Sequence, residues 1–434
     1  MSNERYKDMK PPRMIYLIVI LLSCLQTAPF AHGADLLSRF YPYINIKEEY
    51  NDNLNLTPTN KLDDYITTIQ PGVKFKNMDD VSGIDLDYSL DAVFYGKYTA
   101  LNYIGHNAFL DAKYMTPQHF NFYLKEWFVR SENNRELEYF TKTADQQYML
   151  ATQTNRAIYW RNTVAPTIEY QFGPEDRLGL NYRNNIYRTE SATSQDSRED
   201  YINPFFSYWF NRHNGLYFEY GYTKGDFDAN PDLTGHKVRG RYTNRLGEKS
   251  TAFAEYTFSK RTFEAPGIDY DIHEPSIGIT YAFSAALSAS IQVGYFSKDT
   301  ASGPKKDGMT YKGDLTTLDP ELRTTYTLSF QGGYREDYFT SENLGFSRYH
   351  RLTGSISHKL DKRTSIGAFG SLERANYDSP DHSDTTWGIG GRASYMLLKW
   401  LTLAFEISRN DRQSNIDTYE YTENKGMVTA TASY

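Results

Sequence analysis

Between Thr385 and Tyr434 the chain is written almost entirely in alternation, and this narrows the possible folds more than any other feature. Leu401, Leu403, Phe405 and Ile407 share one side of an extended strand, and Thr402, Ala404, Glu406 and Ser408 share the other. The period is two because successive Cβ atoms of a pleated strand point to opposite faces. Upstream, Trp387, Ile389, Gly391, Ala393, Tyr395 and Leu397 alternate with Gly388, Gly390, Arg392, Ser394 and Met396, and Leu398-Lys399 is read as the tight turn between the runs. A polar loop, Ser414–Tyr419, leads to a last strand in which Val428, Ala430, Ala432 and Tyr434 face one way. A short turn, a longer loop and strands with one apolar and one polar face make the repeating unit of a membrane β-barrel.

The unit recurs. Short turns are expected at Thr116–His119, Gly173–Asp176, Asn211–Asn214, Leu246–Lys249, Ser284–Ala286, Asp319–Leu322 and Leu360–Arg363. Longer polar connections fall between them at Ser191–Arg198, Asp228–Leu233, Glu264–Tyr270, Ala301–Thr310, Tyr338–Gly345 and Ser379–Asp384. From Gly173 the turns are roughly 35 to 41 residues apart, which accommodates two strands of about a dozen residues and a loop. Propeller blades need four short strands and a repeated signature, and paired soluble sandwiches need a linker; the sequence shows neither. The expected fold is all-β: one transmembrane antiparallel up-and-down barrel of 18 to 20 strands, with both ends at the rim of short turns, the periplasmic one.

Composition agrees. Charged residues make up 23% of the 434, so no segment after the N-terminus is apolar enough for a membrane helix, while aromatics reach 16%, with 38 Tyr and 25 Phe. Rings in that number suit the aromatic girdles of a barrel wall. A net charge of −7 gives no electrostatic reason to bind nucleic acid. Residues 1–33 read as a signal peptide: bases up to Arg13, an apolar run from Met14 to Leu25, then Ala31-His32-Gly33 before a cleavage site at Ala34. Leu21-Leu22-Ser23-Cys24 offers a lipidation site as the lesser alternative. Cys24 is the one cysteine, so the mature chain, 34–434, carries no thiol into an oxidising periplasm.

In the first hairpin, strands are expected at Pro42–Tyr50 and Tyr65–Lys76, with a bulge or distortion at Pro71, whose ring removes a ladder donor. Ile84–Tyr95 carries Asp85, Asp87 and Asp91 on one face, which must look at water. Asn133–Trp160 lacks alternation and is read as a long surface loop or a segment folded into the lumen, with a further hairpin as the remaining alternative.

The run Tyr50-Asn51-Asp52-Asn53-Leu54-Asn55-Leu56, followed by Thr67-Thr68-Ile69-Gln70-Pro71-Gly72, resembles the opening of a family of outer-membrane β-barrel porins associated with exopolysaccharide and capsule gene clusters. Tyr50, Asp52, Asn53, Pro71 and Gly72 are the positions that carry the resemblance. It implies an outer-membrane pore, a role as the exit for a secreted polysaccharide, and a periplasmic export partner. The terminal Tyr434 stands where many barrels end in Phe, the residue type read by the barrel-assembly machinery.

If the apolar face meets outer-membrane lipid, the lumen inherits Asp85, Asp87, Asp91, Glu169, Glu219, Glu255 and Glu406, with Lys74, Arg183, Lys237, Arg239, Arg241, Arg335 and Arg392. Facing ladders of opposite sign would narrow and polarise a pore; alternatively the charges are solvated or pair with neighbours. Tyr187 and Tyr217 share the polar face and are either rings for sugar stacking or packing residues. No metal, cofactor or catalytic motif is expected. Most histidines, including His119, His213 and His382, are read as turn or loop residues. His350 and His358 lie near Ser355 and Ser357, but His358 shares a face with Ile356, which argues against a hydrolase. The expectation is a non-enzymatic conduit for polysaccharide export. A diffusion or uptake porin for small solutes is the first alternative, and a hydrolase or structural barrel the second.

Overall fold

The computed structural model describes residues 39–132, 157–190, 195–317, 319, 321–339, 345–378 and 381–433. They form twenty strands: β1 (Phe40–Asn51), β2 (Asp64–Met78), β3 (Ser82–Tyr95), β4 (Tyr103–Met115), β5 (Phe120–Ser131), β6 (Tyr159–Gln171), β7 (Arg177–Thr189), β8 (Ser197–Trp209), β9 (Asn214–Phe227) and β10 (Leu233–Arg245), then β11 (Ser250–Phe263), β12 (Tyr270–Ser284), β13 (Leu287–Thr300), β14 (Lys306–Thr317), β15 (Thr324–Asp337), β16 (Gly345–Lys359), β17 (Thr364–Asp378), β18 (Asp381–Leu398), β19 (Leu401–Ser414) and β20 (Tyr421–Ser433). Each pairs antiparallel with its chain neighbours, and β1 pairs with β20 from Tyr43 opposite Ser433 to Asn51 opposite Lys425. That pairing closes the sheet and removes its edges, as a membrane requires of a sheet. Among the described residues no helix is long and apolar enough to cross a bilayer.

Alternation decides inside from outside. Ile277, Ile389, Ile407 and Val428 are 51–61% exposed on the outer wall, where only lipid can cover them. At the short-turn rim the rings of Tyr170, Phe172, Phe206, Tyr208 and Phe210 follow one another at 5.2–6.5 Å, an aromatic girdle. Toward the long loops, Tyr hydroxyls meet His Nδ1 atoms on the outer wall: Tyr88 with His106, Tyr220 with His236, Tyr256 with His273 and Tyr311 with His350, at 2.6–2.9 Å. The strands run to 12–18 residues, more than the roughly 9–11 that cross a bilayer, so their long-loop ends project beyond it.

Several expectations are corrected. The β18–β19 turn is Lys399-Trp400, because a bulge between Met396 and Leu398 shifts the register by one. Of the bulge or distortion expected at Pro71, the distortion is what occurs: β2 keeps one register on β1 and on β3, but the pairing of Gln70 and Pro71 with β3 lapses. Tyr159 and Trp160 open β6. Polar connections read from composition were drawn too long, since Asp381–Asp384 belongs to β18 and Lys306–Thr310 to β14; projecting strands are polar on both faces. Only His119 and His213 of the described histidines lie in turns, and His382 is a buried strand residue stacked on Tyr377 at 4.3 Å. The signal peptide, Cys24, residues 133–156 and Tyr434 lie outside the described residues.

Candidate functional site

The inner wall is the candidate site, and ladder register builds it. Arg239 on β10 lies opposite Glu219 on β9, and Arg241 opposite Glu255 on β11. The ion pairs follow at 2.9 and 2.7 Å, and Arg239 also reaches Glu255 at 3.8 Å and Lys237 reaches Glu219 at 3.9 Å. Arg183 pairs with Glu199, Arg177 with Glu169 at 3.9 Å and Arg392 with Glu406 at 3.5 Å. On the acidic strand Asp87 is held by Lys74 at 3.4 Å and by the Tyr43 hydroxyl at 2.8 Å. Asp91 accepts from Gln70 at 2.7 Å and Asn107 at 2.8 Å, while Asp85 stands opposite Lys76 and Asp111. All the predicted lumen charges except Arg335 thus share the inner face, and each ladder is largely balanced by its neighbours. Tyr217 donates to Glu219 at 2.7 Å beneath the Arg239 guanidinium, and Tyr187 is fully buried beside Arg161. Ser355 bonds Thr327 at 2.7 Å on the inner face, whereas His350 and His358 look outward, so serine and histidine are not brought together.

At the long-loop end the wall turns inward. β14 pairs with β15 only as far as Tyr311 opposite Gly332, while β15 and β16 stay paired to Asp337 opposite Gly345. The departure point is Gly333, whose φ of +142° lies in a region that side chains disfavour. Freed from β14, the hairpin end buries both faces. On one face Glu336 meets Arg261 at 2.7 Å and Tyr270 at 2.6 Å, Tyr334 donates to Glu274 at 3.0 Å, and Phe346 packs on Phe296 and Tyr334. On the other, Arg335 meets Glu373 at 2.9 Å, Asp337 at 2.7 Å and the Tyr377 hydroxyl at 2.8 Å, and Arg351 joins Glu373. Past β15, Phe339 stacks on Phe227 at 5.3 Å and its carbonyl accepts from Arg161 on β6 at 2.9 Å. A Cβ on Gly225 would sit 2.8 Å from the Phe339 ring. β6 is nearly diametrically opposite β15 in the strand order, so the hairpin crosses the mouth. Arg335, expected on the lumen wall, belongs instead to this crossing hairpin, and Gly332-Gly333 is the one sequence signal of the departure.

The resemblance motif proves to be a clasp on the closing seam. Asp52 accepts from the backbone and side chain of Asn424 at 2.7 and 2.6 Å, and Asn51 donates to Glu423 at 2.7 Å. Asn53, wholly buried, donates to the carbonyls of Thr57 and Thr422 and accepts from the Thr57 amide. The segment from Asp52 to Asp63 thereby folds inward, with Leu54 packed on Ile66, Val93 and Tyr95. Beneath it lies a cavity of about 280 Å³ whose wall includes Asn45, Lys47, Thr68, Gln70, Thr429 and Thr431. Tyr50 faces outward against Tyr65 at 5.0 Å, and Gly72 lies under the Tyr43 ring, 2.3 Å from where a Cβ would be. Among the described residues no cluster has the makeup of a metal site.

A closed twenty-stranded barrel, polar inside and apolar outside, defines an outer-membrane protein of porin type. Residues 227–434 match the family model described as Putative beta-barrel porin 2, which agrees with the porin family that the opening motif resembles, although that motif lies outside the matched residues. Among solved structures, the siderophore receptor PirA from Pseudomonas aeruginosa is similar with a TM-score of 0.51 at 7% identity, over 91% of this chain and 80% of that one. The ferric citrate transporter FecA, in the unliganded form, gives 0.49 at 11%, over 91% and 78%. The outer membrane protein opdK from Pseudomonas aeruginosa gives 0.42 at 9%, over 92% and 99%. At such identities the likeness to PirA is one of fold. No curated protein matches the sequence.

Proposed function

We propose that the protein is a passive conduit for carbohydrate, serving the export of a secreted polysaccharide. The observation that carries the conduit is the inner wall itself. Its charges are largely cancelled by partners on adjacent strands, and the rings of Tyr201 and Tyr217 lie under guanidiniums, which leaves amides and hydroxyls as the surface offered to a polar cargo. Such a wall forms hydrogen bonds with sugar hydroxyls without gripping ions. The export role rests on the resemblance of the opening motif and calls for a periplasmic partner at the rim of short turns. No covalent chemistry is assigned to the chain. Outer-membrane lipid surrounds it, and the barrel-assembly machinery inserts it.

A second reading, inward diffusion of small solutes, is favoured by the hairpin that crosses the mouth and divides the passage. Deleting the gene and measuring surface polysaccharide, beside planar-bilayer conductance of the purified protein, separates the two. Loss of polysaccharide supports export. Normal polysaccharide with open conductance selects the solute porin, and neither effect removes both.

A further inference from the structure

Toward the long loops, the apolar band of the outer wall gives way to a patch of basic side chains that form no ion pair among the described residues. Arg348 and His350 on β16, Arg374 on β17 and Arg409 on β19 are all exposed and all lie within five residues of the long-loop ends of their strands. They have the opposite parity to Ser347, Glu373 and Ser408, so they point away from the lumen. His350 stands directly opposite Arg374 in the ladder, and Arg348 is one step diagonal. Among the described residues neither Arg348 nor Arg374 makes an ion pair or a hydrogen bond. Arg409 lies over the Trp387 ring at 5.8 Å, while Asp411, two residues along, takes the Thr422 hydroxyl at 2.8 Å. Leu352, Leu372 and Ile407 continue the same wall into the bilayer as exposed apolar residues.

An arginine facing lipid costs roughly 2–4 kcal/mol at the midplane and little at the boundary, where it finds acceptors. Phosphate is the acceptor that a planar guanidinium matches best, through paired N–H donors. We infer that this face binds a phosphate-bearing lipid of the outer leaflet. Arg348 and Arg374 hold one phosphate, and Arg409, two strands across and four residues along the ladder, roughly 16 Å away, takes a second. Trp387, Leu352 and Leu372 lie against the acyl chains. The Tyr311 hydroxyl occupies His350 Nδ1 at 2.8 Å and leaves Nε2 toward the lipid.

The test uses the full protein folded in detergent, with equal amounts of diphosphorylated lipid A and phosphatidylcholine offered and the retained lipid counted by native mass spectrometry. Wild type is expected to retain lipid A selectively. Arg348→Gln/Arg374→Gln/Arg409→Gln is expected to lose that selectivity by more than tenfold, from about fivefold per arginine at a membrane surface. Equal retention by wild type and the triple variant overturns the inference. So does displacement of lipid A by millimolar inorganic phosphate, which would make the patch a site for the free anion. Heat-modifiable gel migration reports folding. Should the triple variant not fold, Arg374→Gln alone must show its roughly fivefold loss, and unchanged retention by that variant refutes the site.

Discussion

The carbonyl of Phe339 accepts a 2.9 Å hydrogen bond from the Arg161 guanidinium, joining the tip of one hairpin to a strand on the far side of the barrel. The bridge is open to direct test. Arg161→Met removes the donor, and Gly225→Leu places a side chain where the Phe339 ring lies. Both are expected to raise unitary conductance and the frequency of current steps in planar bilayers. Unchanged conductance in both would mean that the hairpin does not obstruct the passage.

At the root of the same hairpin, Glu373 is shared by Arg335 and Arg351. Glu373→Gln leaves the buried Arg351 guanidinium without its carboxylate and Arg335 with Asp337 alone, and is expected to cost about 3 kcal/mol. Adding Arg351→Met should recover part of that loss, because the orphaned charge is then gone. Urea unfolding in detergent, followed by Trp fluorescence, measures both.

The clasp on the seam predicts a smaller loss. Asn53→Ala strips three hydrogen bonds from a wholly buried site and should cost about 1–3 kcal/mol. Asp52→Ala, at an exposed position, should cost less. The readout is the temperature at which the folded band disappears on unboiled gels.

Which face meets lipid is tested by one pair of neighbours. Ile277 is 61% exposed on the outer wall, whereas Ser276 looks into the lumen. Ile277→Lys should destabilise the inserted barrel by roughly 2–4 kcal/mol, and Ser276→Lys by much less. Equal losses would contradict the assignment of faces.

In the short turn before β3, the backbone amides of Ser82 and Val81 donate to Asp79 and hold its carboxyl below the usual range. Because the folded value is depressed, the stabilisation is fully present above the unfolded value, about 3.9, and is lost as pH falls through the folded one. The amide resonances of Val81 and Ser82 should therefore titrate with a midpoint below that of an ordinary aspartate. A midpoint at or above it would show that the turn does not form.

Alternation made the barrel legible from the chain, because a lipid-facing wall permits no exceptions. Leu401, Leu403, Phe405 and Ile407 fixed both the strand and its face, and the lumen charges followed by parity. The Lys399-Trp400 turn was misplaced because a bulge consumes one residue without changing composition. Most histidines were read as turn or loop residues because the partners of His106 and His236, Tyr hydroxyls on other strands, are invisible without register. The inward hairpin escaped for the same reason: Glu336 and Arg261 are 75 residues apart in sequence. Nothing local to either announces the other.

Asn51 and Glu423, which meet across the seam, are 372 positions apart. Nearly the whole polypeptide must therefore be laid down before that bond can exist. Its loop-closure entropy falls due at the end, when the neighbouring ladders have already brought the two strands side by side. A lesion in the clasp should accordingly leave insertion of the early hairpins intact and stall the molecule as an open, unsealed sheet.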